Sequence, residues 1–158
     1  MIWTNRGKYL LLKWAFCAEA LPDNFYVMLI TNAVVPTEDT NTFSELTEIA
    51  DGNGYTEGGY ELYVDSSSPD FDVLTEDDTN DRAIIQIKDL IWTASGGSIP
   101  ASGDGARYAV LTNGTGGSAE IIGDREVLAV WDLISSRTAT VGQAIKLANC
   151  ELRAVEPD

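Results

Sequence analysis

The chain has 158 residues, enough for one domain with a core that needs no disulfide or metal staple. Ten Lys and Arg stand against 25 Asp and Glu, for a net charge of −15. That excess repels phosphate backbones and anionic bilayers, so neither nucleic acid nor a membrane is an expected partner.

In chain order, the first predicted element is a helix from Asn5 to Leu21. Asn5 is placed to cap it, and Pro22 ends it. Leu10, Trp14, Cys17 and Leu21 recur at the spacing of one helical face, with Leu11, Ala15 and Ala18 beside them. A helix of this kind packs on a core. Lys13 and Glu19 interrupt its apolar run, which is too short to cross a bilayer and has no cleavage site. No signal peptide is therefore expected, and the chain is expected to act or assemble in a cytoplasm. Cys17 and Cys150 lie near opposite ends, with neither metal-ligand spacing nor the density of a disulfide framework. Both are expected as small apolar core residues.

Phe25 to Thr31 is a continuous run of strand formers and reads as a buried strand. Thr42 and Glu45 have capping-box spacing, which predicts one or two helical turns over Thr42 to Ile49. The stretch ADGNGYTEGGYEL (Ala50 to Leu62) is rich enough in oxygen ligands to raise the question of calcium. Counted from Asp51, an EF-hand would need an oxygen ligand at Tyr55, a Gly at Thr56 and a Glu at Leu62. It has none of these. The acidic run from Thr75 to Arg82 fails the same count, with Arg82 and Lys88 at the sixth and twelfth places from Asp77. The glycines read as turns that feed a strand at Tyr60 to Val64. No metal site is assigned.

From there the pattern is strand and turn. Strands are expected at Asp70 to Thr75, Ala83 to Ala94, Ala106 to Thr112, Glu126 to Ile134 and Gln143 to Ala154. In the second of these the apolar residues change parity, as a bulge or two covered faces would require. A long polar loop spans Ser95 to Gly105, and NGTGGS (Asn113 to Ser118) is a turn. Short strands at near-regular spacing predict a mainly β fold, an antiparallel β-sandwich of jelly-roll type behind an N-terminal amphipathic helix. One domain is expected over 1–158: arm and helix at 1–22, sandwich at 23–154 and acidic tail at 155–158.

The absence of histidine removes Ser-His-Asp and Cys-His catalysis and histidine-ligated zinc. No phosphate-binding glycine motif is present. Carboxylates are abundant but form no distinctive pair, so no catalytic residue and no cofactor are assigned. Trp92, Tyr108 and Trp131 could stack on sugars, but each lies within an apolar strand and reads first as core.

The order of segments carries a resemblance. A helix near RGKYLLL leads through PDNFYVMLITN to FSELTEIADGNGY, then IWTASGGSIPASGDGARYAVL, then VLAVWDL and VGQAIKLANCEL. This resembles small virion structural proteins of tailed bacteriophages, over most of the chain from about Lys8 to Arg153. The resemblance implies a non-enzymatic capsid cement or decoration protein that bridges shell subunits. Its partners would be the major capsid protein, other virion proteins and further copies of itself, with a trimer matching shell three-fold positions. Such a protein is located in the virion. A tail, baseplate or head-fibre component, or a carbohydrate-binding sandwich, are the alternatives. Expected partner contacts are Ile2 and Trp3 in the N-terminal arm and Ser95, Ile99 and Pro100 in the long loop.

Overall fold

A computed structural model describes residues 1–64, 70–114 and 120–155. The fold is mainly β, with antiparallel sheets and one N-terminal helix. Its elements are β1 (Ile2–Trp3), α1 (Asn5–Phe16), β2 (Asn24–Ile30), β3 (Tyr60–Tyr63), β4 (Phe71–Asp77), β5 (Arg82–Ile87), β6 (Leu90–Thr93), β7 (Ala106–Asn113), β8 (Val127–Arg137), β9 (Ala144–Leu147) and β10 (Cys150–Val155). Five strands form the main sheet in the order β1-β8-β7-β2-β3. Two smaller sheets, β10-β5-β4 and β6-β9, complete the fold. The expected acidic tail beyond Val155, and most of the expected NGTGGS turn, lie outside the described residues.

The central strands are buried on both faces. On β2, Phe25, Val27 and Leu29 enter the larger core, while Met28 and Ile30 enter a smaller one. The larger core joins all three sheets, through Leu62, Ile87, Leu90, Trp92, Leu111, Leu128, Ile145 and Leu152 among others. The smaller core is roofed by two single-turn 3-10 helices, Phe43–Glu45 and Ile122–Asp124, which contribute Phe43 and Ile122. The capping box predicted at Thr42 is present, with Glu45 accepting from the Thr42 amide at 2.8 Å, but it starts one 3-10 turn only. Those hydrogen bonds, the Thr42 amide first, hold the Glu45 carboxyl below its ordinary pKa.

Two expected strands are each two strands. The run from Ala83 to Ala94 breaks at Lys88 and Asp89 into β5 and β6, and the run from Gln143 to Ala154 breaks at Ala148 and Asn149 into β9 and β10. The breaks coincide because the halves pair with each other, β5 with β10 and β6 with β9. Both chains pass from one small sheet to the other at the same corner, where the Asn149 backbone is left-handed (φ 55°). The parity change in the first run marks this corner, since a strand that changes sheet must change its buried face.

The helix also departs from expectation. Thr4, fully buried, is its N-cap, and its hydroxyl accepts from the Gly7 amide at 2.8 Å. Asn5 instead donates to the Asp39 carboxylate at 2.9 Å. Gly7 lies on β8 so closely that an added Cβ would stand 2.2 Å from the Leu128 carbonyl oxygen. Gly7 and Leu10 are the buried helical residues, with Trp14 half-buried behind them. The helix stops at Phe16, followed by Cys17 as C-cap and Ala18 in the left-handed region (φ 54°). Cys17 and Leu21 are therefore exposed rather than core, and Cys150 is half-buried; both thiols are free.

The glycine stretch is a turn system. Gly52 and Tyr55 exchange backbone bonds of 2.8 and 3.1 Å, and Gly59 (φ 76°) lies where a Cβ would stand 2.3 Å from the Val27 carbonyl oxygen. Tyr55 drops into the larger core.

Candidate functional site

α1 is built with more apolar side chains than its packing uses. Gly7, Leu10 and Trp14 form the inner ridge. Leu12 and Phe16, four residues apart on an outer ridge, are 60% and 81% exposed. Leu11 and Leu21 also remain exposed.

Beside this helix lies an apolar groove of about 210 Å³. Leu11, Trp14 and Leu21 form one wall, and Phe71 of β4, Ile85 of β5 and Leu152 of β10 form the other. Its floor is a chain of aromatic contacts. Trp14 meets Phe25 edge-on with centroids 5.8 Å apart, and Phe25 meets Phe71 edge-on at 5.6 Å. Trp3 also lines it. Burying an aliphatic or aromatic group in such a groove releases about 25 cal/mol per Å² of apolar surface.

Of the sequence-expected contact residues, Trp3 reaches this groove. It is held by the pairing of β1 with β8 and by its indole N–H, which donates to the Arg153 carbonyl at 2.7 Å. Ile2 beside it is 45% exposed. Ser95 is exposed at the start of the long loop, with its amide bonded to Asn53 at 2.8 Å. Ile99 and Pro100 are buried, because Ile99 exchanges two 2.8 Å backbone bonds with Ala139 and its side chain packs in the larger core. Those two side chains are buried rather than exposed at the tip of the loop. Trp92, Tyr108 and Trp131 are likewise core residues, so none of the three offers a free ring to a sugar.

Sequence reasoning missed Leu12, Phe16, Leu21, Phe71 and Ile85 as surface or groove residues. The helix did carry a signal, since YLLLKWAF is apolar over more of its circumference than one packing face needs. The opposite wall carried none, because β4, β5 and β10 meet α1 only through tertiary structure.

Most of the polar interior is committed to internal bonds, although the buried Thr112 hydroxyl has no hydrogen-bond partner among the described residues. Arg125 is buried. Its guanidinium stands 3.5 Å from the Tyr26 ring centroid, donates to Gly58 at 2.8 Å and pairs with Glu120 at 2.8 Å. Tyr55 donates to Glu48 at 2.6 Å and accepts from the Leu29 amide at 3.0 Å. Burial pushes the Glu48 carboxyl above its ordinary pKa, although bonds from Tyr55 and Gly58 oppose that shift. A second cleft of about 530 Å³, between the end of β8 and β9, includes Lys146 and Cys150. Lys146 there is paired with Asp89 at 2.7 Å. Burial pushes the Cys150 thiol up to about 11, which leaves little thiolate at neutral pH. Among the described residues no group of three or more acidic, histidine or cysteine side chains is arranged to hold a metal ion. No described helix is long and apolar enough to cross a membrane.

No protein-family model matches the chain, and neither a curated protein nor a solved structure matches it.

Proposed function

We propose that this chain is a non-enzymatic structural protein of a phage virion, of the capsid cement or decoration type, working by packing against other proteins of the particle. The observation that carries the reading is the surplus apolar surface of α1 and its groove. A folded protein that leaves Phe16 and Leu12 in water beside an apolar groove has a surface suited to protein contact. The net charge of −15 supports a role next to packaged nucleic acid without adhesion to it. The segment order described above supplies the virion assignment.

The finer fold reading belongs to this proposal: an antiparallel sandwich of jelly-roll type. It is supported by the five-stranded sheet and the two smaller sheets sharing one core, and by strands that turn a common corner between sheets.

The test is copy number. Particles of the virus that encodes this chain are purified, and the chain is quantified by mass spectrometry against the major shell protein. Copies comparable with the shell protein support the cement role. A few copies per particle move the chain to the tail, baseplate or a head fibre. Absence from particles overturns the virion reading.

A further inference from the structure

The outer ridge of α1 has a chemical counterpart elsewhere on the same chain. Within its 12 residues α1 carries Arg6, Lys8 and Lys13 and no acid, in a protein of net charge −15. Arg6 pairs with Glu126, and Lys13 with Glu19 at 2.7 Å. Lys8 is exposed, makes no ion pair among the described residues and precedes Leu12 and Phe16 at four-residue spacing. The ridge Lys8-Leu12-Phe16 is thus a cation followed by two exposed apolar side chains.

The hairpin of β4 and β5 has the opposite charge. β4 is an edge strand, and all of its residues but the two end ones are exposed. Register slips between Asp72 and Thr75, which places Val73 in the left-handed region (φ 49°) and leaves Leu74 78% exposed. A β-branched residue at positive φ is strained, and bulges re-aim side chains. The strain here holds an apolar pair outward. Around that pair, Asp72, Glu76 and Asp78 are exposed and make no ion pair among the described residues, whereas Asp77 is taken by Arg82 at 2.8 Å.

We infer that the outer ridge of α1 in one copy docks on the β4–β5 hairpin of a second copy, Leu12 and Phe16 against Val73 and Leu74, with Lys8 facing the free acids. The inference rests on reading α1 as an assembly surface. The two patches are apolar at the centre, charged at the rim and opposite in sign, as a specific protein contact requires. In the monomer, α1 and β4 border the same groove, through Leu11 and Trp14 on one side and Phe71 on the other. Closed symmetry repeats that one contact around the assembly.

The test is sedimentation velocity on the full chain over the micromolar range, at low salt and at about 1 M salt, where screening acts within about 3 Å. Expected results are reversible self-association that persists at high salt, where the repulsion between two copies of charge −15 is screened, and that is lost in Phe16→Ser, Leu12→Ser and Leu74→Ser. Lys8→Glu and Asp78→Lys each weaken it about tenfold, and the double variant regains it. All five positions are exposed, and circular dichroism melts verify that each variant is folded. A wild-type chain that stays monomeric overturns the inference. So does association that survives both Phe16→Ser and Leu74→Ser, or a charge-swapped double weaker than either single. A monomer that co-pellets with phosphatidylserine vesicles would also overturn it, assigning the ridge to a lipid surface. The outcomes separate from particle copy number: a monomer abundant in virions overturns the self-contact alone, and an oligomer absent from virions overturns the virion reading alone.

Discussion

The two faces of the five-stranded sheet are covered in different ways. One face buries Met28, Ile30, Val110 and Val130 under two short 3-10 turns. Its edge is sealed by polar groups that bond each other: Arg125 to Glu120 and the Gly58 carbonyl, and Glu48 to the Gly58 amide. The other face is covered by α1 and the two smaller sheets, and an open apolar groove remains between them. The closed side uses most of its polar groups in the fold, whereas the open side keeps apolar surface that the fold does not use. Stability and exposed apolar surface therefore belong to different residues, and substitutions can separate them.

The largest effect is expected on the closed side. Arg125→Ala removes a buried guanidinium that pairs with the Glu120 carboxylate and donates to the Gly58 carbonyl, and should lower stability by about 3 kcal/mol. Chemical denaturation measures this, and a loss below 1 kcal/mol would break the contrast. Next comes the hinge between the two sides. Thr4→Ala removes the buried cap of α1 and its bond to the Val127 carbonyl, for about 2 kcal/mol. The same melts should show the helical signal weakening with it.

A smaller effect concerns pH. Burial raises the Glu48 pKa, so the folded state holds a proton that the unfolded state has released. Glu48 therefore makes stability fall as pH rises from about 4.5 through its raised value. Glu48→Gln keeps an acceptor for Tyr55 and Gly58 and should remove that part of the slope. Parallel pH slopes for the two proteins, from denaturation midpoints, would refute the sealed character of this side. The smallest effect belongs to the open side. Phe16→Ser should change stability by no more than about 0.5 kcal/mol, because its ring is 81% exposed. A larger drop in melting temperature would mean that the ring is part of the fold.

How much of this was legible in the sequence depends on how local the cause is. Phe25 to Thr31 and Ala106 to Thr112 lie within a residue or so of β2 and β7, because strands covered on both faces read as continuous apolar runs. The capping box at Thr42 was legible for the same reason, since its partners are three residues apart. The end of α1 was not, because Cys17 and Leu21 continue the helical spacing while the backbone turns left-handed at Ala18. The shared corner needed the pairing of β5 with β10, which neither segment states alone. In the long loop, Ile99 and Pro100 resembled an exposed apolar tip until the bridge to Ala139 drew them inward. Half of the groove was readable in the crowded circumference of α1, and its other wall comes from strands some 60 to 140 residues away, whose placement is a matter of topology.

The Thr4 hydroxyl and amide bond the carbonyls of Val127 and Leu128, 123 and 124 residues further along. The entry into α1 is thus fixed by a strand that is synthesised more than a hundred residues later. While a ribosome builds the chain, α1 leaves the exit tunnel with both of its apolar ridges unpaired and waits for β8 before the inner one can dock. Contacts this distant in sequence close slowly. Over that interval the nascent protein exposes both ridges of α1, and crowded synthesis or a stalled ribosome would favour mispairing between chains. The abundance of acid in the rest of the chain then acts in time as well as in space, holding unfinished copies apart until β8 arrives.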